Sequence, residues 1–194
     1  MTAATAVPAV ARKRFGMWLF VIADGLTFAA ILLSYAYLRY GTSNWPLVFH
    51  LIPSLAMAAL MTLILLASSA AMLRAVRAKS AGNPDASRRW VLMTIAGGVL
   101  FAVLHAQEWS VLLRAGVTPF DNPWGVPLFG ATFFAITGLH LAHVAAGVVY
   151  LAIIAARLRS LSLDDVQTAA LYWHFVDAVW LFIFPVVYLT SANL

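Results

Sequence analysis

Seven ionisable side chains lie inside stretches that are otherwise almost entirely apolar, and they are the strongest candidates for chemistry in this sequence. They are Asp24, His105, Glu108, His140, His143, His174 and Asp177. Placing an Asp at the centre of a membrane helix costs at least about 2.5–3.5 kcal/mol, so such groups normally face other helices, a partner or a water-filled cavity. The plainer alternative is that they only bond neighbouring helices, at about 0.6 kcal/mol per contact.

Six of these side chains form pairs three residues apart, which places each pair on one helix face. The pairs are His105 with Glu108, His140 with His143, and His174 with Asp177. Imidazole and carboxylate groups suit iron, copper or zinc. Helical di-iron proteins, however, carry Glu-x-x-His motifs with further glutamates on other helices. Here the order is reversed and carboxylates are few, so we expect no bound metal, and the absence of cysteine excludes thiolate sites.

The surrounding sequence is that of a membrane protein. Of its residues, 63% are hydrophobic and 10% are charged, and the mean hydropathy is +0.91. Continuous apolar runs of this length predict helices that cross about 30 Å of hydrocarbon. We predict an all-α fold, a single membrane domain over residues 1–194. Its five spans are expected at residues 15–38, 51–73, 90–113, 126–156 and 168–189.

The net charge of +5 reflects membrane sidedness rather than nucleic-acid binding. Ten of the twelve basic residues fall before the first span or in the second and fourth loops, and only Arg39 and Arg114 lie on the other side. The positive-inside rule then predicts an N-terminus inside and a C-terminus outside. Short loops leave no room for a soluble catalytic domain, so any chemistry lies in the membrane or belongs to a partner.

Segments of four of the five spans carry a family resemblance. Residues 172–182, YWHFVDAVWLF, are similar to the signature of subunit III of haem-copper terminal oxidases. Residues 131–143, ATFFAITGLHLAH, resemble the family's aromatic pair followed by Gly-x-His-x-x-His. Residues 14–24, which end at Asp24, resemble the family's first-span opening, and residues 105–109, HAQEW, its third-span acidic segment. The five spans match the short bacterial form rather than seven-helix mitochondrial members.

The resemblance implies an accessory role in a proton-pumping respiratory oxidase. Such a subunit has no haem or copper of its own; those belong to catalytic subunit I, against which it packs together with subunit II. It binds phospholipid, supports proton uptake and stabilises the catalytic subunit in the bacterial inner membrane. By the same resemblance Asp24 relates to proton uptake. Contacts to helices or lipid are expected of Glu108, His140, His143, Trp173, His174 and Asp177.

Three questions stay open at this stage. Many family members carry Glu where this chain has Asp24, and the electron donor, cytochrome c or quinol, is not fixed. The chain could instead serve a nitric-oxide reductase or an orphan respiratory complex. A different class is a small proton-coupled transporter using Asp24, Glu108 and Asp177. Transporters commonly show inverted repeats and broken helices, and the sequence displays neither.

Overall fold

The structure is a computed structural model that describes residues 9–50 and 54–193. Five long helices dominate this part of the chain, and each is long and apolar enough to cross a membrane. The helices are α1 (Ala9–Gly41), α2 (Ala56–Ser80), α3 (Pro84–Arg114), α4 (Pro127–Arg157) and α5 (Leu163–Ile183). The predicted all-α, five-span fold is confirmed.

The helices extend beyond most of the predicted spans, because hydropathy marks the lipid-facing stretch while the helix continues into the polar layer. α2, for example, runs on to Ser80. There the Lys79 ammonium donates a hydrogen bond to the Leu158 carbonyl oxygen at 2.8 Å. The fourth loop provides an N-cap for α5. The Ser162 hydroxyl accepts from the Asp165 backbone N–H, and the Asp165 carboxylate accepts from the Ser162 N–H.

The end of the last span is irregular. After Ile183 the chain forms one π-helical turn over Phe184–Tyr188 and a 3₁₀ turn over Leu189–Ser191. Pro185 lies in the π turn, and its missing N–H removes one donor from the regular helical pattern. Two residues then form β2 (Ala192–Asn193), which pairs in parallel with β1 (Phe49–His50). This short pairing ties the end of the chain to the loop between α1 and α2.

α5 is the central helix of the bundle and contacts α1, α2 and α4, while α2 packs along α3. Trp173 and Trp180 of α5 are fully buried. Glycines let the neighbouring helices approach these large rings. A Cβ added at Gly98 would lie 2.4 Å from Trp173 Cη2, which is too close for the present packing. Small residues therefore set the helix spacing, as expected where lipid removes the hydrophobic drive for association.

Helix α1 is the least covered element. Apolar side chains on its outer face are widely exposed, including Leu26 at 68% and Leu33 at 71%. Such a face is stable next to lipid or another membrane chain but not next to water. α1 is thus tied to the bundle along one side only.

Ion pairs connect neighbouring segments at one end of the bundle. Lys13 Nζ lies 2.9 Å from Asp165 Oδ1, which joins α1 to the beginning of α5. Arg159 Nη2 lies 2.9 Å from Asp85 Oδ1, which joins the fourth loop to the beginning of α3. Most of the basic residues therefore belong to segments that meet at the same end.

Candidate functional site

A carboxyl group and an imidazole face each other between α1 and α4. Asp24 Oδ2 lies 3.1 Å from His143 Nε2, and the two side chains are 17% and 16% exposed. The two atoms are within ion-pair distance, although their orientation is not that of an aligned hydrogen bond. The two residues are far apart in sequence, and only the packing of α1 on α4 brings them together.

The contact made by Nδ1 of His143 determines which atoms of this pair can carry a hydrogen. Nδ1 lies 2.8 Å from the Leu139 carbonyl oxygen. A carbonyl can only accept, so Nδ1 carries a hydrogen. Nε2 is then a bare acceptor in the neutral ring and a donor only in the imidazolium ion. The neutral arrangements of the pair are Asp24 protonated beside neutral His143, or ionised Asp24 beside the imidazolium.

Both of these arrangements hold one proton between Oδ2 and Nε2 and carry no net charge. The alternatives leave a net charge in a mostly apolar setting, where a charged side chain is costly. The geometry thus allows Asp24 and His143 to share one proton between Oδ2 and Nε2 without a net charge. This property comes from the backbone bond at Leu139 as much as from the two side chains.

Aromatic rings surround the pair. The ring of Phe28 stands edge-on to His143 with centroids 5.4 Å apart, and the ring of Phe20 lies 6.4 Å away. The Tyr172 hydroxyl donates to the His143 carbonyl oxygen at 3.0 Å. These contacts hold the imidazole in place.

A second polar cluster lies between α3, α4 and α5. Glu108 Oε2 accepts a hydrogen bond of 2.6 Å from the Tyr188 hydroxyl and lies 3.4 Å from His105 Nδ1. His140 stacks on Trp180 with centroids 5.4 Å apart. His140 and His143, three residues apart on α4, therefore have different partners. Their spacing alone suggested a common site.

A third cluster joins α2 and α5. Ser69 Oγ and His174 Nδ1 are 2.6 Å apart and share a hydrogen bond. The neighbouring Trp173 donates from Nε1 to Ser68 Oγ at 3.0 Å. Asp177 is 4% exposed, and within the described chain its carboxylate oxygens make no hydrogen bond. Trp173 and His174 thus contact a neighbouring helix, and a lipid contact for these residues stays a prediction.

The three clusters do not combine into a metal centre. Within residues 9–50 and 54–193, no three His, Cys, Asp or Glu side chains are grouped so that they could hold a metal ion. Each cluster offers proton-carrying groups and hydrogen bonds. Acid–base behaviour is therefore the chemistry that this part of the chain can provide.

Some partners in these clusters could not be read from the sequence. Tyr188 lies near the end of the last predicted span, where a tyrosine is typical of the membrane interface. Phe28 and Ser69 are residue types common in membrane helices. Only the tertiary structure shows that Tyr188 bonds Glu108, that Phe28 covers His143 and that Ser69 bonds His174.

The fold and the buried acid and imidazole groups together define an integral membrane protein of five helices with polar clusters inside the bundle. Residues 4–192 match the family model described as "Cytochrome c oxidase subunit III". The chain belongs to this family, so the subunit III assignment predicted from the sequence motifs is confirmed.

Individual relatives agree with the family match. The chain is 31% identical to cytochrome c oxidase subunit 3 of Alkalihalophilus pseudofirmus, over 93% of this chain and 88% of that protein. It is 30% identical to cytochrome bo(3) ubiquinol oxidase subunit 3 of Pseudomonas aeruginosa, over 92% and 85%. A cytochrome c oxidase subunit 3 from Damaliscus lunatus is 33% identical over 90% of this chain and 68% of its own length.

Proposed function

We propose that this chain is the non-catalytic subunit III of a proton-pumping haem-copper respiratory oxidase and that it supports proton uptake by the catalytic subunit. The observation that carries the proposal is the Asp24–His143 pair, in which Oδ2 and Nε2 are 3.1 Å apart. If the pair holds one proton, passing that proton to a neighbouring pathway leaves a net charge of −1 on the pair, and this charge favours the uptake of another proton. Asp24 lies on the helix with the most exposed face, which a partner can reach.

The catalytic metals belong to the partner in this proposal. Subunit I supplies haem and copper, and subunit II completes the complex. The exposed face of α1, which includes Leu26 and Leu33, is apolar enough to pack against another membrane chain or lipid. The subunit acts by stabilising the catalytic subunit, and it carries out no redox step of its own.

A groove between α1 and α5 supports the proposed phospholipid contact. It has a volume of about 470 Å³ and is lined by apolar side chains, among them Phe28, Leu32, Phe175 and Phe182. Its shape and lining suit an acyl chain, which has no hydrogen bonds to satisfy. Phe28 also touches His143, so the groove adjoins the proton-holding pair.

We place this single domain, residues 1–194, in the bacterial inner membrane with its N-terminus inside and its C-terminus outside. The support is the distribution of basic residues together with the positive-inside rule. The inner end is then the one where Lys13 pairs with Asp165 and Arg159 with Asp85.

Purification through this chain tests the proposal. An affinity tag on the chain in its native host should recover, after gentle solubilisation, a complex with a haem spectrum and oxygen-consuming activity. A reciprocal tag on the haem-containing subunit serves as the control and should recover this chain. The chain is about equally identical to a cytochrome c oxidase subunit 3, at 31%, and to a ubiquinol oxidase subunit 3, at 30%. The complex is therefore assayed with reduced cytochrome c and with quinol. A folded chain that never co-purifies with haem would contradict the proposal.

A further inference from the structure

The cluster around Glu108 has more buried polar atoms than hydrogen bonds. His105 and His140 are fully buried, and the Glu108 side chain is 8% exposed. Within the described residues, five buried atoms of these three side chains make no hydrogen bond: both ring nitrogens of His105, both of His140, and Glu108 Oε1. The Tyr188 hydroxyl satisfies only Glu108 Oε2.

Leaving these atoms unpaired would destabilise the helix bundle. A buried donor or acceptor without a partner has lost the hydrogen bonds that it makes to water in the unfolded chain, and nothing replaces them. Buried water commonly satisfies such groups, with about three hydrogen bonds per molecule. The arrangement therefore favours a small ligand that can both donate and accept hydrogen bonds.

The surrounding rings separate this cluster from lipid and from the Asp24–His143 pair. Phe101 stacks on His105 with centroids 5.7 Å apart, and Trp180 covers His140. Phe28 stands edge-on to both His140 and His143, at 6.5 Å and 5.4 Å.

A metal ion fits the cluster less well than water. His105, Glu108 and His140 are not grouped as metal ligands anywhere among the residues that the structure describes. Water both donates and accepts hydrogen bonds, which suits ring nitrogens and a carboxyl oxygen that have no partner in the described part of the chain.

We propose that His105, Glu108 and His140 enclose a binding site for ordered water between α3, α4 and α5, closed by Phe101, Trp180 and Phe28. The site is separate from the Asp24–His143 pair and does not depend on which oxidase the chain serves. Its water connects Glu108 Oε1 to at least one histidine nitrogen.

Electron cryo-microscopy of the purified native complex, at a resolution that resolves water, tests this site. We expect a density peak within hydrogen-bond distance of Glu108 Oε1 and of a ring nitrogen of His105 or His140. The distances from the peak to its neighbours separate water, at about 2.7–3.2 Å, from a metal, at about 2.0–2.2 Å. The absence of a peak at this position in the wild-type complex, or a peak with the shorter distances, would overturn the proposal.

Three variants sharpen the test. Glu108→Gln keeps two polar atoms and should keep the peak, whereas Glu108→Leu removes both carboxyl oxygens and should lose it. Ser69→Ala, which removes a hydrogen bond from the α2–α5 cluster, is the matched control and should leave the peak unchanged. If Glu108→Leu does not fold, the wild-type map still decides, because the absence of the peak there refutes the site.

Discussion

The packing of Trp173 over Gly98 gives a prediction that can be worked out from the structure. A Cβ at position 98 would lie 2.4 Å from Trp173 Cη2 and 2.9 Å from Val148 Cγ2. Trp173 is fully buried and donates a hydrogen bond to Ser68 Oγ, so the ring cannot shift without loss. Gly98→Ala should therefore destabilise the bundle even though it adds only one methyl group.

The size of the effect follows from three contributions. Overpacking a filled core costs about 1–3 kcal/mol, and a weakened Trp173–Ser68 hydrogen bond adds about 0.5–1.5 kcal/mol. Ala is a better helix former than Gly by up to about 1 kcal/mol in water, which offsets part of the loss. We expect a net loss of about 2 kcal/mol, or about 4–8 °C in the melting temperature for a chain of this size.

Thermal unfolding of the purified complex, followed by size-exclusion chromatography of heated samples, measures this loss. Gly16→Ala is the matched control, since no atom lies within 4 Å of the added Cβ. In a double-mutant cycle, Trp173→Phe removes the clashing ring atoms, so Gly98→Ala should cost much less in that background. A Gly98→Ala melting temperature equal to that of Gly16→Ala, or strictly additive effects with Trp173→Phe, would refute the packing argument.

Two further predictions concern the contact of α4 with the loop between α3 and α4, and the topology. Gly130→Ala should destabilise the chain by at least about 1–3 kcal/mol in the same assay, because its Cβ would lie 2.1 Å from the Thr118 carbonyl oxygen, a backbone atom; an unchanged melting temperature would contradict that contact. Single cysteines at Ser80 and Asn193 should react with an impermeant thiol reagent from opposite sides of the membrane, and reaction of both from one side would exclude five spans.

The number of spans followed from hydropathy, whereas their limits did not. The second predicted span, residues 51–73, corresponds to α2 at Ala56–Ser80. Its C-terminal extension carries Arg74, Arg77 and Lys79 on a backbone that stays helical. The long Lys79 side chain reaches the Leu158 carbonyl oxygen, and the Arg74 guanidinium lies over the Trp90 ring. The last span likewise begins earlier, at Leu163, because the Ser162 cap lies outside the apolar run.

The polar side chains could be selected from the sequence, but their partners could not. Spacing along one helix linked His140 to His143, and the structure instead directs His143 towards Asp24 and His140 towards Trp180. Which neighbour a side chain meets depends on how the helices are rotated and spaced, and glycines such as Gly98 set this through contacts between helices. The periodicity of residues within one helix gives no information on how that helix is rotated and spaced relative to its neighbours.

The central claim is that the Asp24–His143 pair supports proton uptake by holding a proton. Asp24→Asn tests it with little change in shape, because the Asn amide can donate to the neutral Nε2 of His143 but cannot take up or release a proton. Asp85→Asn makes the same chemical change at the exposed ion pair with Arg159 and serves as the matched control. Haem spectra of both variant oxidases should match wild type and so report intact assembly.

Steady-state oxygen consumption followed over time, with proton pumping measured in parallel, is the most direct measurement. The proton-holding role predicts that Asp24→Asn slows turnover or shortens the active lifetime of the oxidase, while Asp85→Asn behaves as wild type. If Asp24→Asn equals wild type in rate, lifetime and pumping, the carboxyl group only joins α1 to α4, and its role in proton uptake is contradicted.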